Sequence, residues 1–231
     1  MTRKNLLDEI VNKRARTDTS STRMDEFAKR MSRLDIAKNR LLELSEPDSV
    51  TCDEELTRHF PVALVACIEG FYRKAVADLI DHGSPFIDRV AKLRNVDITL
   101  EAAAAIQTKK ITLGEYVSHF ISFGSLEDIN RCLSSMLAFD FLDRLITSEF
   151  HLYEDEPPIQ IEELRKDFVV AVRDLFRARH MLCHEFASEL VIDNAAVIQA
   201  FAATDVLVSL SEFVIASELQ GPPSSADEQV A

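Results

Sequence analysis

One short stretch of the chain gathers an arginine and two histidines: Arg179-His180-Met181-Leu182-Cys183-His184. A guanidinium is a permanent cation whose planar fork matches the oxygens of a phosphate or a carboxylate. An imidazole titrates near neutrality and can take up or release a proton during a reaction. Such groups together could grip an anion and move protons beside it. The periodicity of 161–190 predicts a helix with an apolar stripe of Leu164, Phe168, Val172, Leu175, Leu182, Phe186 and Leu190. One place in that stripe, between Leu175 and Leu182, is filled by Arg179. A guanidinium cannot shed its charge there, and burying it alone is strongly destabilising. Either the helix opens onto a wet cleft at Arg179 or an acidic group meets it.

His180 and His184 stand four residues apart, one above the other on a second line with Val169 and Phe176. Arg179 and His184 are separated by roughly 140° around an ideal helix and share no face. One site can hold both if the helix distorts, if the side chains reach around its edge, or if a second subunit brings the groups together. Three other uses of these residues remain open. Arg179 could serve a salt bridge between subunits or domains. The two histidines form half of a helical metal site, for which His59, His82, His119 and His151 offer no evident third ligand. Cys183 beside His184 suggests a thiol nucleophile, but adjacent helical positions point about 100° apart and cannot make the required hydrogen bond.

Glu69 is the other residue of interest. It interrupts an otherwise apolar or aromatic line of Val65, Tyr72, Val76 and Ile80, so its carboxylate calls for a cation, with Arg179 or His184 the natural candidates. It could orient the bundle as an ion pair or support the site from behind.

The elements that must position these groups all read as helices. Only 5 Gly and 7 Pro punctuate 231 residues, and β-type alternation is hard to find. Residues 1–48 read as a polar helical extension with helices at 5–13 and 24–44, either covering the rest of the chain or a neighbouring subunit, or acting as a partner-binding arm. A break at 46–49 precedes a long helix over 53–81, which stops at His82-Gly83 with Pro85 beyond. Shorter helical pieces follow through 91–109, then a helix capped at Ser125 and another over 139–150. An acidic, Pro-containing loop at 154–158 leads into the helix 161–190, and Asp193-Asn194 caps a final apolar helix to about residue 216. The tail 221–231 reads as disordered. The fold class is therefore all-α.

Composition narrows the function classes. Hydrophobic residues make up 47% and charged residues 28%, as in ordinary globular domains. No run of 18 apolar residues occurs, so no membrane span is expected. The four cysteines are scattered without a CxxC pair, which points to reduced thiols and a cytoplasmic location. Residues 1–50 hold 11 basic and 9 acidic side chains, whereas the remainder holds 15 and 30. A net charge of −13 argues against duplex DNA, which wants a broad basic surface. Nucleic-acid contact would have to be local, built from a few arginines.

The pattern of an arginine, a polar residue and a histidine five positions after the arginine resembles the signature of the HEPN family, helical-bundle domains of which many are ribonucleases in toxin–antitoxin, abortive-infection and CRISPR-linked systems. The apolar helix that leads into it, from Phe168 through Glu185, looks similar, as does the earlier helix around Val65–Arg73 with its embedded Glu69. The similarity covers about residues 50–218. Two positions depart from the common pattern: His180 stands where Asn is commonest, and Cys183 where a small residue is usual. The resemblance implies a HEPN-like bundle over 49–220 and a homodimer in which two motifs meet. It further implies a metal-independent endoribonuclease that needs no cofactor, acts on RNA and answers to an antitoxin or regulatory protein as a toxin or antiviral effector. RNA brings its own nucleophile, the 2′-hydroxyl. His184 would then be general base or acid, Arg179 would stabilise the phosphate, His180 would relay a proton or hold phosphate, and Glu69 would stand behind them. The products would be a 2′,3′-cyclic phosphate and a 5′-hydroxyl. The competing expectation is a non-catalytic helical module that binds a nucleotide or a protein, with Arg179 in a salt bridge at a dimer seam.

Overall fold

Residues 50–82 carry apolar side chains on nearly every side, so their helix must be wrapped by others. In the computed structural model, which describes residues 3–16, 22–44, 50–90, 96–147, 162–184 and 190–220, that helix is the axis of an all-α bundle. The described residues form ten helices and no strand: α1 (Arg3–Arg16), α2 (Arg23–Leu44), α3 (Val50–His82), α4 (Phe86–Val90), α5 (Leu100–Gln107), α6 (Leu113–Ser118), α7 (Leu126–Leu137), α8 (Phe141–Thr147), α9 (Glu162–His184) and α10 (Asn194–Gln220). Helices α2, α4, α6, α9 and α10 all pack against α3. Leu64, Ile68, Tyr72, Val76 and Leu79 are completely enclosed. Burying each such side chain is worth about 1.5–3 kcal/mol.

Helix ends follow the local chemistry. Helix α3 stops at Gly83, whose φ of 102° suits a residue without Cβ. Thr112 and Glu115 form a reciprocal capping box at the start of α6, and Ser125 caps α7 by accepting from Asp128 N at 3.1 Å. Asp193 Oδ1 accepts from Ala196 N at 2.7 Å, so it caps α10 and Asn194 is the first helical residue. Gly114 lets α6 press onto α3: a Cβ there would sit 2.1 Å from the carbonyl oxygen of Ala77.

The helices expected from the sequence are present, with differences at their ends. Helix α3 starts three residues earlier than expected, α8 starts two residues later, and α4 and α6 were not foreseen because five- and six-residue helices carry too little periodicity. The helix expected over 161–190 is described from Glu162 to His184, and Leu190, where it was expected to end, lies outside helix with its carbonyl accepting from Arg58 Nε at 3.2 Å. The break at 46–49, the loop 154–158, the segment 185–189 and the tail 221–231 lie outside the described residues. Within residues 1–48, Ile10, Phe27 and Leu41 are buried in the same core as α3.

Helix α10 is long and apolar enough to cross a membrane by length and composition. It also lies against α3, α8 and α9, and it buries Val197, Phe201, Leu207, Val208 and Val214 in the bundle. Deep inside, the hydroxyl of Tyr72 lies 2.6 Å from Ser211 Oγ, which in turn donates to the carbonyl of Leu207 at 2.6 Å. Serine has one proton, so Tyr72 is the donor in this relay. Burial pushes its phenol well above the usual range.

Candidate functional site

Helix α9 buries Phe168, Val169, Val172, Leu175 and Phe176, and then its contact with the core weakens. From Arg177 onward no side chain of α9 is fully buried. Arg179 continues the buried stripe in register but sits where the stripe reaches the edge of the bundle. Its side chain is 29% exposed, and its Nη2 lies 3.6 Å from Glu69 Oε1 on α3. That is an ion pair without a hydrogen bond. The acidic group that the stripe called for is therefore Glu69, itself 24% exposed among buried Val65, Tyr72, Val76 and Ile80.

His180 and His184 are both exposed and lie one helical turn apart, with ring centroids 5.0 Å from each other. The structure thus forms two pairs, Arg179 with Glu69 and His180 with His184. Among the described residues nothing links Arg179 to His184 within one chain, as the 140° offset implies. Cys183 is exposed beside them. No group of three His, Cys, Asp or Glu side chains able to hold a metal ion is found among the described residues.

The end of α9 is locally basic in an acidic chain: residues 173–184 hold Arg173, Arg177 and Arg179 against Asp174 alone. Arg173 is taken up by Glu127 of α7 at 2.9 Å on the surface. The helix C-terminus itself favours positive charge, which suits histidines in its last turns. Just beyond the motif in sequence, Val191 and Ile198 are 67% and 50% exposed.

A second polar region escaped the sequence reading. A cavity of about 590 Å³ lies between α1, α2, α3, α6 and α10, and five basic and five acidic side chains line it. Its signal was present as the line Ala66, Gly70, Arg73 and Ala77, small residues interrupted by one arginine on a single face of α3.

Comparison with protein-family models gives no match, and no curated protein or solved structure matches the chain.

Proposed function

We propose that the chain is a metal-independent endoribonuclease of the HEPN type, acting as a homodimer and possessing the toxin or antiviral character of that family. The observation that carries this reading is the state of Arg179. It is held near Glu69 at 3.6 Å yet keeps 29% of its side chain in solvent, with two exposed imidazoles within the next five positions. A guanidinium held by one long contact can still bind phosphate oxygens.

In this reading His184 accepts the proton of the 2′-hydroxyl, and the 2′-oxygen attacks the adjacent phosphorus. Arg179 balances the charge that builds on the non-bridging oxygens, and a second imidazole, such as His180, protonates the departing 5′-oxygen. The products are a 2′,3′-cyclic phosphate and a 5′-hydroxyl. Because the two groups face different sides of α9, the Arg179 of one protomer works with the His184 of the other. The exposed apolar Val191 and Ile198, close to the motif in sequence, support a second copy at this end of the bundle. RNA is then the substrate, the cytoplasm the place of action, and an antitoxin or regulatory protein the restraint.

The second reading is a non-catalytic helical module, favoured by the Glu69–Arg179 pair itself and by the net charge of −13, which disfavours RNA approach. One experiment separates the two. Purified chain is incubated with single-stranded RNA in EDTA, beside Arg179→Ala and His184→Ala, with oligomeric state and melting temperature recorded for each. The nuclease reading expects cleavage with cyclic phosphate ends, reduced at least about 10²-fold in both variants at unchanged melting. A dimeric wild type that leaves RNA as intact as the variants do ends it. A melting loss confined to Arg179→Ala supports the structural module.

A further inference from the structure

The cavity between α1, α2, α3, α6 and α10 contains more cations than its carboxylates satisfy. Arg14 donates to Glu115 at 2.8 Å, and Lys74 to Glu26 at 2.7 Å. Arg23 is matched twice, to Asp78 at 2.7 Å and to Glu212 at 2.6 Å. Asp81 is occupied by Thr112 and by the Gly114 N–H, the latter at 2.8 Å. Two guanidiniums remain. Arg30 touches the thiol of Cys67 and forms no ion pair among the described residues. Arg73 has a buried Nε with no hydrogen-bond partner. Glu69, one turn before Arg73 on α3, is drawn toward Arg179.

A buried donor left without an acceptor is destabilising, and more so when the group is charged. Arginine cannot escape that cost by deprotonation. The remaining wall is apolar where Phe27, Phe71, Ala66 and Gly70 line it, and the volume falls within the usual range for small-molecule sites. Every carboxylate at the cavity already has a donor, so an incoming anion would meet two guanidiniums that have no carboxylate partner among the described residues.

We propose that this cavity binds a small phosphate-bearing ligand, with its phosphate oxygens on Arg30 and Arg73 and its organic part against Phe27 and Phe71. Two planar forks suit the several oxygens of a phosphate better than the two of a carboxylate. The volume of about 590 Å³ leaves room for a group of nucleoside size beside the phosphate. The site is separate from the histidines of α9 and does not depend on ribonuclease activity.

The test uses the full chain at constant ionic strength in chloride, titrated with inorganic phosphate or with adenosine 5′-monophosphate. Melting is followed by calorimetry and binding by ³¹P line broadening. At ten times the dissociation constant, the wild type should gain roughly 3–6 °C. Tighter binding of the monophosphate assigns an ester as the ligand, and equal binding assigns free phosphate; both uphold the site. Arg73→Gln and Arg30→Gln should each weaken binding at least tenfold, while His184→Ala should retain it. Arg30 is exposed at the rim, so its variant remains informative if Arg73→Gln fails to fold. Absence of a shift with either probe at 10 mM, or an equal shift in wild type and Arg30→Gln, overturns the proposal.

Discussion

Arg23 and Arg179 are the same chemical group placed at two ends of its range. Arg23 opens α2 with a side chain only 8% exposed, and it spends its fork on Asp78 and on both oxygens of Glu212, at 2.7, 2.6 and 3.1 Å. That guanidinium ties α2 to α3 and α10 and has little left to offer a ligand. Arg179 is 29% exposed and, among the described residues, meets one carboxylate at 3.6 Å, too long for a hydrogen bond. The first arginine is consumed by the fold, whereas the second is positioned by it and remains available. The difference lies in the number and distance of the acids each one meets, and it separates a cation that builds structure from one that can do chemistry.

Removing each arginine in turn separates the two roles most directly. Arg23→Ala leaves Asp78 and Glu212 facing each other without their cation. Breaking a fully buried pair costs about 3–5 kcal/mol, and partial exposure of the two carboxylates reduces this to roughly 2–4 kcal/mol. Arg179→Ala removes a half-exposed, screened contact and should cost under about 1 kcal/mol. Urea denaturation of both variants checks the ranking. Equal losses would show that Arg179 is as structural as Arg23 and would favour the non-catalytic reading.

Glu69→Gln probes the Arg179 contact from the acid side. The amide keeps the shape but loses the charge that draws Arg179 to α3. Stability should change by less than about 1 kcal/mol. If Arg179 acts on phosphate, cleavage should fall about tenfold through loss of orientation, with the larger effect in kcat/KM. Unchanged cleavage would leave Glu69 as an element of the bundle alone.

These residues also show how far the sequence could be read. The all-α fold followed from long apolar periodicities, and Glu69 and Arg179 were visible because each breaks such a stripe. Their meeting was suggested by chemistry, since a charge on a core line needs a counter-charge. Arg23 and Arg73 broke no stripe of large apolar residues. Arg23 sits at a helix start among other charges, and its partners lie 55 and 189 positions away, a distance that local pattern cannot bridge. Arg73 stands on a face of small residues that the sequence leaves indistinguishable from a packing seam. The short helices α4 and α6 were hidden for a related reason: five and six residues show little period, and the length of α6 is set by its capping box and by the close approach at Gly114.

The smallest expected effect concerns the third arginine in this series, Arg73, and is read through Asp81 across the same cavity. Desolvation raises the Asp81 carboxyl above the ordinary aspartate range, with Glu115 and Asp78 adding to the rise and the Thr112 and Gly114 hydrogen bonds opposing it. Between the ordinary value and the raised one, the folded chain binds more protons than the unfolded chain. Stability from this group is therefore complete below the ordinary aspartate value, near 3.9, and is lost as pH climbs through the raised value. Asp81→Asn removes that loss. Unfolding free energies of variant and wild type, measured in urea from pH 3.5 to 6.5, should then differ in a way that moves in favour of the variant as pH rises. A difference moving the other way would mean that a nearby cation holds Asp81 ionised. Arg73 would then have found a carboxylate of its own and would belong with Arg23, consumed by the fold and closed to a phosphate.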